Sequence, residues 1–278
     1  MDNTGSVISK DGTKIGYQKM GNGPAVVLVH GGMMSSQNFS ELGRYLSQDF
    51  TVYIPDRRGR GMSSEDAKEY GLVRESEDMQ ALVRKTGSQN IFGLSSGAIV
   101  VMQTALIEPS LKKVAIYEPP LPFDERPTLW VPAYDLAMQQ QNYGAAMSAV
   151  IKGTGDKGFF SLIPRGILTA LFNRAIENDS KTKNKVPLKS LIRAMSNDIK
   201  IVQDAKEILE KYKQIKADVL LLGGNKSKDF LTATLDIINK GLPNAKRVTF
   251  KGIGHIAADN HGRPESVAKE LKLFFEAN

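Results

Sequence analysis

The chain has 278 residues, 41% hydrophobic and 24% charged, with 25 Gly and 12 Pro. That balance fits a folded globular protein and excludes collagenous, coiled-coil and disordered classes. The absence of Cys excludes disulfide frameworks, thiolate nucleophiles and Cys-based zinc sites. Only three His are present, and none lies three or four residues from another, so no His-based metal site is expected either. The net charge of +7 comes without a basic stretch interleaved with aromatics, so it reads as solubility charge with no nucleic-acid partner implied. No apolar run approaches the roughly 18 residues of a membrane span. Residues 1–14 lack the apolar segment of a signal peptide. The expected location is therefore cytoplasmic, with no membrane partner.

In chain order, residues 7–9 and 15–18, joined by Asp11-Gly12, predict an N-terminal β-hairpin. Short aliphatic runs at 26–29, 51–54, 91–94 and 114–117 predict strands buried on both faces. Amphipathic stretches at 39–46, 73–86 and 97–107 predict the intervening helices. After Glu118 the pattern changes. Pro119, Pro120, Pro122, Pro127 and Pro132 interrupt regular structure, and only helical segments follow, at 133–151, 164–177, 188–195 and 199–212. Alternation then resumes with a strand at 218–222, a helix at 230–239, a strand at 246–250 and a last helix at 264–276. The chain thus reads as one α/β core, residues 1–118 and 216–278, carrying a helical insertion at 119–215. Within that insertion Lys181, Lys183, Lys185, Lys189, Arg193 and Lys200 face a single acid, Asp198. This window reads first as a solvated edge, and second as a basic rim that steers anions.

The strongest chemical signal is Gly93-Leu94-Ser95-Ser96-Gly97, which follows a predicted strand and opens a predicted helix. Small residues on both sides of a serine allow the sharp strand-to-helix turn that exposes its hydroxyl. The Ser96 N–H, at the helix start, can then face a developing oxyanion. Serine needs a base, and His255 in Gly252-Ile253-Gly254-His255-Ile256 lies on a loop after the last strand. His30-Gly31-Gly32 follows the strand at 26–29, and His30 reads as a loop-fixing residue. His261 reads as solvent-facing before the last helix.

These segments, with Asp56-Arg57-Arg58-Gly59-Arg60-Gly61-Met62-Ser63, resemble the α/β-hydrolase superfamily with a helical cap. The resemblance implies an eight-stranded, mostly parallel sheet and a triad in the order Ser, acid, His, with no cofactor. It assigns a second oxyanion N–H to Gly32, with Met33 as alternative, and makes the arginine-rich turn structural rather than a substrate clamp. The chain departs from the pattern at the acid. Ser227 stands where many relatives carry Asp, and Asp229 is two residues late. Glu118 ends the strand at 114–117, where some hydrolases, haloalkane dehalogenases among them, place the acid. Glu118 is the first candidate and Asp229, which could equally cap the helix at 230–239, the second.

The expected activity is hydrolysis of a carboxylic ester, lactone or thioester of a small, largely apolar molecule through an acyl-enzyme. The competing reading is a low-turnover receptor or scaffold on the same fold. Met33, Met34, Phe123 and Trp130 are the expected pocket residues, with Tyr134, Phe159 and Phe160 as further candidates.

Overall fold

The computed structural model describes residues 3–64, 69–155, 162–179, 185–242 and 245–277. Strands β1 (Asn3–Ile8) and β2 (Lys14–Met20) form the expected hairpin, its turn closed by the Ser9 N–H donating to Thr13 O at 2.8 Å. They begin an eight-stranded sheet with β3 (Ala25–Val29), β4 (Thr51–Pro55), β5 (Asn90–Leu94), β6 (Lys113–Tyr117), β7 (Asp218–Gly224) and β8 (Lys246–Phe250). The spatial order is β1-β2-β4-β3-β5-β6-β7-β8, with β2 antiparallel to both neighbours and every later pairing parallel.

Alternate side chains of the central strands enter two separate cores, as the period of two demands. On one face Val27, Val29, Ile91, Val114, Ile116 and Leu221 meet helices α2 (Leu72–Thr86) and α3 (Ser96–Ile107). On the other, Val26, Leu28, Phe92, Ala115, Leu220 and Leu222 meet α1 (Ser40–Leu46) and the terminal α10 (Pro264–Glu276). Burial on both faces explains why these strands are continuous apolar runs.

Between β6 and β7 the described chain is helical: α4 (Val131–Gln139), α5 (Tyr143–Thr154), α6 (Arg165–Asp179), α7 (Leu188–Arg193) and α8 (Met195–Asp204). The single helix expected at 133–151 is two. Gln141 has a positive φ of 55°, which ends the first, and the Asn142 side chain accepts from the Ala145 N–H at 3.1 Å to cap the second. Trp130, Tyr134, Ala146, Val150 and Ile192 form the insertion's own apolar cluster. Its last part packs differently: Ile201, Val202, Ala205, Ile208 and Tyr212 join the sheet-side core beside Leu235 and Ile238 of α9 (Asp229–Gly241). Helix α8 therefore belongs to both layers, through Met195 and Ile199 above and Ile201 and Val202 below. No described helix is long and apolar enough to cross a membrane.

Candidate active site

Ser95 sits between β5 and α3 with φ 57° and ψ −124°, a strained conformation for a residue with a Cβ. The flanking glycines explain how the turn is tolerated. A Cβ on Gly93 would lie 2.5 Å from Gly97 O, and one on Gly97 would lie 2.3 Å from His30 O. The turn is anchored by the Ser95 N–H, which donates to Tyr117 O at 2.9 Å.

His255 Nε2 lies 3.0 Å from Ser95 Oγ, and its Nδ1 lies 2.8 Å from Glu118 Oε2. A carboxylate only accepts, so this pair suits the tautomer with a proton on Nδ1, in which Nε2 can accept from the serine. Glu118 is wholly buried, and its other oxygen accepts from the Gly224 N–H at 2.7 Å. Its φ of 46° turns the chain out of β6 and into Pro119. Gly223 makes room for it, since a Cβ there would lie 3.0 Å from Glu118 Oε1. The histidine loop is held by the Tyr117 hydroxyl, which donates to Gly254 O at 2.8 Å, with its ring stacked on Phe250. The second acid candidate, Asp229, is not the cap of its helix. Lys228 holds the cap position and Asp229 is the first helical residue, where its charge suits the positive end of the helix.

His30 is fully buried. Its Nε2 accepts the Arg57 N–H at 3.2 Å while Nδ1 lies 3.0 Å from Gly31 O, consistent with fixing the loop. Burial first, then Arg60 and Arg57, push its pKa well below the usual histidine value, so it stays neutral. Gly32 and Ser96 line the same cavity as Ser95 and His255.

That cavity, about 260 Å³, lies between the core loops and the helical insertion. Met33, Met34 and Trp130 line it as expected, joined by Met147, Val150, Ile151, Met195, Phe230, Leu231 and Ile256. His261 is exposed but stands in the cavity wall rather than apart from it. Phe123 does not reach the cavity. It packs against the sheet-side core, because the chain leaving Glu118 turns inward at the buried Leu121. Tyr134 is spent inside the insertion, its hydroxyl donating to Ile192 O at 2.8 Å. Phe159 and Phe160, and the basic residues Lys181 and Lys183, lie outside the described residues.

Asp198, the acid that looked incidental in a basic window, is completely buried and lines the cavity. Its Oδ1 accepts from Arg57 Nη1 at 2.7 Å and from Ser96 Oγ at 2.7 Å, and its Oδ2 accepts from Arg60 Nη2 at 2.6 Å. Burial would raise its pKa, but Arg60 and Arg57 outweigh it and hold the carboxyl below the ordinary range. The signal was available in the sequence: Met195, Asp198, Ile199 and Val202 recur at helical spacing, which places the acid on an apolar, inward face. Arg57 forks onto Glu75, with Nε–Oε2 at 2.5 Å and Nη2–Oε1 at 2.8 Å, so the arginine-rich turn is anchored inside the protein.

The family profile for the alpha/beta hydrolase fold matches residues 24–262. An uncharacterized hydrolase of Bacillus subtilis, YraK, is 32% identical over 114 residues, a match spanning 40% of this chain and 42% of YraK. The 2-(acetamidomethylene)succinate hydrolase of Mesorhizobium japonicum is 23% identical over 95% of this chain and 92% of its own. An α/β hydrolase of Sphaerobacter thermophilus superposes with a TM-score of 0.78 at 25% identity, over 98% of this chain and 100% of that one. With its sheet order, its strand–serine–helix turn and this match across most of its length, the chain belongs to the α/β-hydrolase family.

Proposed function

We propose that the protein is a serine hydrolase that cleaves a carboxylic ester, lactone or thioester of a small, largely apolar, uncharged substrate. The observation that carries this reading is the continuous path from Ser95 Oγ through His255 to the buried Glu118, opening on an apolar cavity. His255 takes the Ser95 proton as Oγ attacks the carbonyl, and Glu118 stabilises the imidazolium. The N–H groups of Gly32 and Ser96 receive the oxyanion, a contribution of about 3 kcal/mol per donor. The leaving group takes the proton from His255, and water then cleaves the acyl-enzyme with His255 again as base.

The substrate class follows from the wall. None of the described residues lining the cavity is Lys or Arg. Arg57 and Arg60 stand behind it, but Glu75 and Asp198 already neutralise them. A doubly anionic substrate, such as the succinate named for the Mesorhizobium relative, would therefore meet no Lys or Arg among the described residues of the wall. Neutral acyl esters are expected to show higher kcat/KM than matched carboxylate-bearing ones, and the reverse order would overturn the uncharged class.

The test of the reaction is covalent labelling. A fluorophosphonate should add its mass to Ser95, and Ser95→Ala should abolish both the adduct and ester turnover. A folded wild-type protein that neither labels nor turns over esters would favour the receptor reading.

A further inference from the structure

We infer that Asp198, a side chain of the helical insertion, is a positioning residue for the oxyanion hole: it ties both N–H-bearing segments, Gly31–Met34 and Ser96, to helix α8. The inference rests on the reading of Ser95 as nucleophile with Gly32 and Ser96 as oxyanion donors.

Each arm of the tie is hydrogen-bonded. On the Ser96 arm, the hydroxyl accepts from Arg57 Nη1 at 3.0 Å and donates to Asp198 Oδ1 at 2.7 Å, so both its polar roles are used. On the other arm, Arg60 Nη2 is held by Asp198 Oδ2 at 2.6 Å and Ala194 O at 3.3 Å. Arg60 Nη1 then reaches Gly31 O at 3.2 Å and Met34 O at 3.5 Å, the two carbonyls that bracket Gly32 and Met33. The helix approaches the loop closely at position 32: a Cβ there would lie 3.2 Å from Asp198 Cγ and 3.1 Å from Met195 Sδ, so these neighbours would have to shift by a few tenths of an ångström.

The charges balance as a unit. Arg57, Arg60, Glu75 and Asp198 all have fully buried side chains, and two cations face two anions. Removing one member leaves an uncompensated buried charge, which forces local rearrangement. Glu75 can replace Asp198 for Arg57, whose Nε and Nη2 it already holds, but its contacts do not extend to Arg60 or to Ser96. Among the described residues, Asp198 is the one that hydrogen-bonds to both Ser96 and Arg60. It is carried on α8, whose Met195 and Val202 also line the cavity. The hole is therefore complete only while α8 is seated against the core, and enclosure of the substrate and stabilisation of the oxyanion become one event.

The experiment compares an oxyester with its matched thionoester, whose C=S sulfur is a poor acceptor and gains little from the hole. Ser96→Ala is the principal variant, because it removes one hydroxyl, retains the Ser96-position N–H and leaves the four charges in place. Asp198→Asn is the second. Both should lower kcat on the oxyester, Asp198→Asn by about a hundredfold, the size of losing one oxyanion donor. KM should stay nearly constant and kcat on the thionoester should change much less, so the oxyester preference shrinks. An equal slowing of both esters, or a rise in KM alone, would overturn the inference and leave Asp198 a structural tether. Ester turnover surviving Ser95→Ala would instead overturn the underlying hydrolase reading, so the two failures are distinguishable.

Discussion

Arg57 and Arg58 are consecutive, and both side chains are fully buried, yet they serve different parts of the molecule. Helix α2 offers each a carboxylate, Glu75 to the first and Asp78 to the second, three residues apart on the same helix. Beyond that shared helix they diverge. Arg57 goes on to Ser96 and Asp198, across the seam between core and insertion and beside the serine. Arg58 goes on to Asp11 in the turn of the β1–β2 hairpin, with Nη1–Oδ2 at 2.9 Å. The local chemistry is nearly the same: a guanidinium forked onto a buried carboxylate. What differs is the third partner, and it decides whether the cluster reaches the candidate site or stays within the fold.

The largest expected effect separates charge that serves chemistry from charge that serves folding. Glu118 is a buried carboxylate too, but its partner is His255 rather than an arginine. Glu118→Gln keeps the volume and a carbonyl oxygen for the Gly224 N–H, while presenting His255 with a neutral partner. It should lower kcat by about four orders of magnitude, as comparable acid-to-amide changes do. Unfolding by urea should change little. Retained turnover with Asp229→Asn inactive would move the acid to Asp229.

Next in size is the Arg58 cluster. Arg58→Met leaves Asp78 buried without its cation, and breaking such a pair costs about 3–5 kcal/mol. Activity per folded molecule should be unchanged, since no contact of Arg58 leads to the cavity. Arg57→Met should cost stability and turnover together. If Arg58→Met also lowered kcat, the division between the two clusters would not stand.

The clusters should also answer pH in opposite senses. Burial pushes the Asp78 carboxyl up to about 6, with the Arg58 pair pulling against it. The folded state then holds a proton that the unfolded chain gives up, so this contribution is full below about pH 4 and is lost as pH rises towards 6. For Asp198 burial acts the same way, but Arg60 and Arg57 prevail and keep it below the ordinary carboxylate value. Its contribution is present above about pH 4 and is lost as pH falls further. Urea unfolding across pH should therefore show wild type losing stability relative to Asp78→Asn between pH 4 and 6. Relative to Asp198→Asn, it should lose stability only on acidification. Parallel curves for either pair would contradict the assignment.

Much of this is legible in the sequence. Strands buried on both faces announce themselves as continuous apolar runs, and Gly93 and Gly97 mark a turn that only small residues permit. Glu118 and His255 could be named because strand ends of a parallel sheet collect on one rim. The carboxylate partner of His255 stays open in the sequence because it depends on Gly223 and Gly224 making room for Glu118 across β7, a packing relation with no local signature. Phe123 was misplaced for a similar reason, since a proline-rich exit reveals that the chain turns but not which way. Asp198 was missed although its helical spacing was visible, because its partners Ser96 and Arg57 are 102 and 141 residues away.

The smallest expected effect concerns the hairpin end of the Arg58 cluster. Asp11 Oδ1 accepts the Thr13 N–H at 3.0 Å, a local turn contact, while Oδ2 takes Arg58. Asp11→Asn keeps an oxygen for Thr13 but loses the charge and the acceptor that Arg58 uses, on a side chain that is 20% exposed. The expected cost is about 1 kcal/mol, the ordinary worth of one hydrogen bond. Asp11→Ala loses both contacts and should cost roughly twice that. Because Arg58 and the Thr13 contacts override burial and hold the Asp11 carboxyl well below its usual range, the difference between wild type and Asp11→Asn should persist through pH 4. Amide exchange gives the sharper readout. The amides that pair β1 with β2 should exchange faster in both variants, while those of β5 beside Ser95 keep their protection relative to global stability. Equal loss of protection in both places would mean that the hairpin and the site share one cooperative unit, and the contrast between the two arginines would then lie in contacts alone.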